Sequence, residues 1–169
     1  MVRDLNAAVE IIKSFEGILD GNPKTVNLDP YLCPAGYWTI GWGHVVLSTT
    51  GEMIRGTASK KEAYDVYPNG ITLKEAEALL MVDIEKFSQG LEKLIKVTIS
   101  DIQFCALVSL AFNIGLGAFK NSTLLKVLNS NALNKVPEQI LKWNKIKGIV
   151  SSGLDRRRKA EVALWNKNI

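Results

Sequence analysis

Glu16 closes a segment in which Leu5, Val9, Ile12 and Phe15 recur at steps of three and four, with Arg3, Asp4, Asn6, Glu10 and Lys13 between them. That spacing is the pattern of an amphipathic helix. Seventeen residues after Glu16 begins the stretch Cys33-Pro-Ala-Gly-Tyr-Trp-Thr-Ile-Gly-Trp-Gly-His44, whose aromatic and β-branched residues, punctuated by glycine, read as strand and turn. A lone acid ending a helix, followed by a strand with a central Thr39, can set a carboxylic acid at the rim of a groove, facing a hydroxyl that positions water. Such a pair suits glycoside hydrolysis, which needs a proton delivered to the leaving oxygen as an oxocarbenium-like centre forms. Taken alone, Glu16 reads equally as a solvated helix-end glutamate paired with Lys13, and Thr39 as ordinary strand filling. Cys33 adds a thiol that acts, when ionised, as base or nucleophile. Asp20 and Asp29 lie close by in the chain but belong to turn-forming contexts, and they rank below Cys33.

The elements that must hold these residues follow from the same pattern. The first helix spans about 3–16 and is stopped by Gly17 and Gly21-Asn-Pro23. Tyr37, Trp38, Thr39, Ile40, Trp42, Val45 and Val46 then predict a small antiparallel sheet, and Tyr67-Pro-Asn-Gly70 a turn. Thr72-x-x-Glu75 is a capping box opening a long helix over about 72–95, with Ala76, Leu80, Ile84, Phe87, Leu91 and Leu94 on one stripe. A second box, Ser100-x-x-Gln103, opens a helix to about 114 that is apolar nearly all round and so belongs in a core. Shorter helices are predicted over about 121–128, 137–145 and 154–165. The fold class is α+β and mainly helical, one domain over 1–169. It comprises a small antiparallel sheet lobe at about 17–70, a linking helix at 72–95, and a larger helical lobe at 96–169 that takes in the N-terminal helix, with a cleft between the lobes.

A chain of 169 residues buries roughly 70% of its unfolded surface in a single domain, so its core needs neither disulfides nor metal. A hydrophobic fraction of 47% and a charged fraction of 22% exclude a disordered or fibrous class. No apolar run approaches the ~20 residues of a membrane span, and the N-terminal segment lacks a signal-peptide core. The net charge of +4 favours an anionic partner without choosing between wall polymer and nucleic acid. Two cysteines and a single histidine support no zinc site. Cys105, inside Ile102-Gln-Phe-Cys-Ala-Leu-Val108, reads as a small core hydrophobe. The run Arg156-Arg157-Arg158-Lys159 points in several directions from a helix and reads mostly as solvated surface. Trp38 and Trp42 suit stacking on sugar faces or packing in the sheet lobe.

At Glu16-Gly17, Cys33 and Thr39-Ile-Gly-Trp-Gly-His44 the chain resembles the phage-type lysozymes, the endolysin muramidases of glycoside hydrolase family 24. The resemblance continues in order through Gly70-Ile-Thr-Leu-Lys-Glu-Ala-Glu77, Ala111-Phe-Asn-Ile-Gly115, Phe119-Lys-Asn-Ser-Thr-Leu-Leu125 and Gly153-Leu-Asp-Arg-Arg-Arg-Lys-Ala-Glu161, so it covers nearly the whole chain. The stretches 21–28 and 47–66 read as rim loops. The resemblance implies a lysozyme-like two-lobed fold and cleavage of the β-1,4 bond between N-acetylmuramic acid and N-acetylglucosamine in bacterial peptidoglycan. It makes Glu16 the general acid and Thr39 the residue that positions water, and it puts Cys33 where the family has either Asp or Cys. It further implies that His44 pairs with Asp83, that Arg157 orients Glu16, and that Asn113, Phe119, Asn121 and Ser122, with Trp42, meet the sugar. No metal or cofactor is implied, the partner is peptidoglycan and not nucleic acid or membrane, and the expected state is a monomer. With no export address visible, the resemblance implies accumulation in the host bacterial cytoplasm and release to the wall through a holin-type lesion.

Two rival readings stay open at this level. One is a cysteine peptidoglycan amidase or endopeptidase using Cys33 and His44, against which Pro34 counts, because such thiols are usually activated at a helix N-terminus. The other is an inactive peptidoglycan-binding scaffold, for which the cysteine at position 33 is the support.

Overall fold

The computed structural model describes residues 3–167, which divide into two compact units. One is Glu16–Asp83; the other comprises residues 3–15 together with 84–167.

The unit Glu16–Asp83 is organised by a three-stranded antiparallel sheet in the order β1 (Tyr31–Leu32), β2 (Trp38–Ile40), β3 (His44–Val45). Tyr31 lies opposite Thr39 and Leu32 opposite Trp38, while Thr39 and Ile40 face Val45 and His44 on the other side. All of β2 is buried, which is why Trp-Thr-Ile shows no alternation with polar residues. After β2 the chain turns at Gly41, whose φ of +61° is costly for any other residue, and an added Cβ would stand 3.0 Å from the Ala76 Cβ. The stretch 47–66, expected as a rim loop, is more ordered than that. Leu47 bridges to Met53, a 3-10 turn follows at Thr57–Ser59, and α2 (Lys60–Val66) completes it. Only Ala63 of α2 is buried, so the helix left no apolar stripe in the sequence. Thr72 and Glu75 form the expected reciprocal cap, and α3 runs over Leu73–Glu92, shorter at both ends than 72–95. The division between the units falls within it, between Asp83 and Ile84.

In the other unit α1 (Asn6–Glu16) begins three residues later than predicted. Arg3 and Asp4 are spent elsewhere: Arg3 binds Asp101 at 2.9 Å, the Asp4 backbone amide donates to Asp101, and the Asp4 carboxylate accepts from the Asn6 amide. α4 (Asp101–Ile114) carries the Ser100–Gln103 box and buries an unbroken run from Phe104 to Ala111, as its all-round apolarity predicts. Cys105 is fully buried within that run, its thiol donating to the Asp4 carbonyl. The helix predicted at 121–128 is α6 (Thr123–Asn129), capped by Ser122, and a short helix that was not predicted, α5 (Leu116–Lys120), precedes it. The helix expected over 137–145 stops early as α7 (Val136–Leu141), and a hairpin follows, β4 (Lys145–Ile146) with β5 (Ile149–Val150). Its two-residue turn puts Lys147 at φ 49° and Gly148 at φ 83°, the paired positive values of a tight hairpin connection. The chain ends in α8 (Ser152–Trp165).

The basic run in α8 corrects an expectation. Arg156 and Lys159 are exposed, but Arg157 is 4% exposed and Arg158 is wholly buried. Both reach Glu161, itself fully buried and hydrogen-bonded by the Ser109 hydroxyl at 2.8 Å. Arg158 Nε lies 2.8 Å from Glu161 Oε2, close enough to pair but not aligned as a hydrogen bond. Burial pushes the Glu161 carboxyl up, while the Arg158 charge, the Ser109 hydroxyl and Arg157 pull it down. A buried carboxylate between two cations is the state such a site demands, since arginine does not give up its proton.

Candidate active site

The strand register brings together residues that the sequence separates. Thr39, 4% exposed, donates from Oγ1 to the Tyr31 carbonyl at 3.2 Å across the β1–β2 pair. Opposed residues of an antiparallel pair present their side chains on one face, as do residues two apart in one strand. Cys33 follows Tyr31 by two and heads the turn into β2, its amide donating to the Tyr37 carbonyl at 2.9 Å and its carbonyl accepting from Gly36 at 2.8 Å. The Tyr31 phenol is shifted by this setting. Burial pushes it up from its ordinary value, the neighbouring Thr39 hydroxyl and Gly43 backbone pull it down, and the Cys33 and Glu16 charges push it further up. Glu16, Tyr31, Cys33 and Thr39 all belong to the unit Glu16–Asp83. Glu16 is half-buried as the last residue of α1, and Cys33 is half-buried in its turn.

The neighbouring aspartates are occupied. Asp20 accepts from the backbone amides of Asn22 and Asp29, both at 3.0 Å, and the 5% exposed Asp29 accepts from the Thr25 hydroxyl. Both tie the 20–30 segment into its turn. His44 Nδ1 lies 2.7 Å from Asp83 Oδ2, each side chain 17% exposed. The ring N–H donates to the carboxylate there, which links β3 to α3. Trp38 belongs to the packing: it is buried, donates to the Gly56 carbonyl at 2.8 Å and meets Tyr64 edge-on. Trp42 is buried as well, at 7% exposure.

The other residues expected at the site lie in the second unit. Arg157 is held by Glu161 and by the Ser109 carbonyl, with its guanidinium 5.8 Å from the centre of the Phe15 ring, the residue before Glu16. Phe119 is fully buried and Ser122 nearly so, the latter donating to the Phe119 carbonyl and accepting from the Leu125 amide. Asn113 and Asn121 are exposed. Among the described residues no group of three or more His, Cys, Asp or Glu side chains is placed to hold a metal ion.

Sequence reasoning passed over Tyr31. Its signal was its distance from Cys33: two residues before a turn-heading cysteine, in a strand that must pair with the Thr39 strand, it falls opposite Thr39.

Comparison with known proteins supplies the remaining context. A family described as phage lysozyme matches residues 14–161. An endolysin of Bacillus phage B103 is 39% identical over 160 residues, covering 94% of this chain and 52% of that protein, so the chain spans about half the length of that relative. Among solved structures, the endolysin from Escherichia coli O157:H7 phage FAHEc1 superposes with a TM-score of 0.74 at 30% identity, covering 100% of this chain and 96% of that one. The muramidase domain of SpmX from Asticaccaulis excentricus superposes with a TM-score of 0.72 at 28% identity, covering 98% and 99%.

Proposed function

Since the chain belongs to the phage lysozyme family, we propose that it is an endolysin muramidase, a glycosidase that cuts the β-1,4 bond between N-acetylmuramic acid and N-acetylglucosamine in bacterial peptidoglycan. The observation that supports this reading is the match of residues 14–161 to the phage lysozyme family, beside a strand register that sets Thr39 opposite Tyr31, two residues before Cys33. Protonated Glu16 gives its proton to the glycosidic oxygen as that oxygen leaves the anomeric carbon. Water held by Thr39 closes on the carbon from the opposite face, and its spare proton passes to the Cys33 thiolate. The cycle leaves a carboxylate and a thiol, and solvent exchanges the proton back. With the thiolate as nucleophile instead, a glycosyl-enzyme intermediate forms, and a water entering from the side the leaving group vacated, its proton taken by the Glu16 carboxylate, releases the sugar and returns the thiolate. The exposed amides of Asn113 and Asn121 are the proposed sugar-binding groups.

The cysteine-hydrolase rival fits less well. The family that matches residues 14–161 is phage lysozyme. The site of action in this reading is the host cell wall, reached after release from the host cytoplasm. Among the described residues no helix is long and apolar enough to cross a membrane. The two enzymatic readings part at the product: digestion of purified peptidoglycan should yield new reducing sugar ends and no new amino groups. Amino groups without reducing ends would replace the glycosidase with an amidase or endopeptidase.

A further inference from the structure

The hairpin β4–β5 is held firmly at its base and buried nowhere along its length. Every residue from Lys145 to Val150 is exposed, with Ile146 at 58%, Ile149 at 75% and Val150 at 56%. A two-stranded hairpin is marginal in water on its own, yet specific contacts fix where this one starts and ends. The Ser151 amide donates to the Asn144 carbonyl at 2.8 Å, the Asn144 side-chain amide donates to Asp155 at 3.0 Å, and Arg158 donates to the Trp143 carbonyl at 3.4 Å. The register sets Ile146 opposite Ile149, on one face and beside the Lys147-Gly148 turn, and Lys145 opposite Val150. The apolar pair therefore leads the element, and aliphatic side chains presented together in this way mark a surface that meets a partner.

The surrounding charge identifies that partner. From Gln139 to Leu154 the chain contains Lys142, Lys145 and Lys147 and no acid. The acids at either end are occupied, Glu138 by Lys142 at 2.9 Å and Asp155 by Lys159 at 2.7 Å. Among the described residues Lys145 and Lys147 pair with no carboxylate. We propose that the hairpin is a peripheral membrane contact, with Ile146 and Ile149 entering the acyl boundary of an anionic bilayer and Lys145 and Lys147 meeting its lipid phosphates. Aliphatic side chains beside lysine stems that reach back to the headgroups are the chemistry of an interfacial anchor, and such a contact needs no spanning helix. A neutral glycan would call for rings, amides or hydroxyls, and no side chain from Lys145 to Val150 carries one. A second copy of the chain fits poorly as well. Three aliphatic side chains fall far short of the roughly 800 Å² per partner of a stable interface, and a twofold contact would set lysines against lysines. The inference is independent of the glycosidase reading.

The test is co-sedimentation at about 0.1 M salt with vesicles of phosphatidylglycerol and phosphatidylethanolamine, and with vesicles of phosphatidylcholine alone. The wild-type chain should sediment with the anionic vesicles and not with the neutral ones. Ile146→Ser/Ile149→Ser leaves every charge in place and should weaken binding by about tenfold or more. Lys145→Gln/Lys147→Gln should weaken it roughly 25-fold, at about fivefold per lysine. Both variants should keep the wild-type thermal midpoint and the wild-type rate of reducing-end release from solubilised peptidoglycan, since these side chains are exposed and none belongs to the proposed site. A wild-type chain that ignores the anionic vesicles or binds both kinds alike overturns the inference. So does either variant that binds as tightly as wild type; with the isoleucines gone, that result would reduce the attraction to net charge. A variant that unfolds, one that loses reducing-end release, or a wild-type dimer that the isoleucine variant dissociates also overturns it, by making the hairpin structural, a sugar contact or a self-association surface. A wild-type chain that binds anionic vesicles as expected but releases no reducing ends overturns the proposed function and leaves this inference standing.

Discussion

At the residue scale, the position that distinguishes this chain within its family pattern is Cys33. If the face opposite Glu16 needs a group that accepts a proton or attacks the sugar, a carboxylate of similar reach serves as well as a thiolate. Cys33→Asp should therefore keep lysis within about an order of magnitude, and Cys33→Ala should lower it by ~100-fold, in the range that positioned acid–base groups contribute. Turbidity clearing of permeabilised cells reads both variants. An alanine variant that clears at the wild-type rate would make Cys33 a packing residue and leave Glu16 with a Thr39-held water as the whole apparatus. The candidate side chains stand out in the sequence because each is a functional type in a short motif. Tyr31 does not, because its relevance comes from facing Thr39, and a facing relation exists only once two strands have chosen a register.

Elements position these residues through a few buried polar contacts. The His44–Asp83 pair, at 2.7 Å and little exposed, ties β3 to α3. Asp83→Asn should cost about 1–3 kcal/mol of stability, the usual worth of a hydrogen bond to a charged group, while activity is largely retained. Denaturant midpoints with unchanged slopes would check it. In the helical unit, Glu161 is the counter-charge for both Arg157 and Arg158 inside a buried contact of α4 and α8. Glu161→Ala strands two buried cations and should cost about 3–5 kcal/mol, which a large fall in thermal midpoint would register. Long elements with strong periodicity, α3 and α4, were legible within a few residues at their ends. The missed elements share a physical cause. α2 buries only Ala63, the β4–β5 strands are two residues each and wholly exposed, and the α5–α6 break depends on Ser122 turning its hydroxyl back on the chain. Neither α2 nor the hairpin buries a periodic apolar stripe, and α5 buries only Phe119. The buried Arg157 and Arg158 were obscured for the opposite reason, since a run of cations reads as surface until its single carboxylate partner is found three and four residues on.

For the whole molecule, a net charge of +4 and a pI near 9 set how the chain meets an anionic wall. Attraction between exposed charges fades as the Debye length falls from ~10 Å at 0.1 M salt to ~3 Å at 1 M. Sedimentation with purified walls should therefore show binding that weakens steadily across that range. Binding indifferent to salt would shift the weight of recognition to neutral sugar contacts such as those assigned to Asn113 and Asn121. The central claim is that Glu16 delivers the proton that breaks a glycosidic bond, and Glu16→Gln tests it most directly, because the amide keeps the shape and has no proton to transfer. The measurement is the initial rate of reducing-end release from purified peptidoglycan, alongside wall sedimentation of the same variant. Release should fall by about 10²–10⁴-fold while sedimentation and the folded spectrum match the wild type, and a Glu16→Gln chain that still releases reducing ends at a comparable rate would contradict the account.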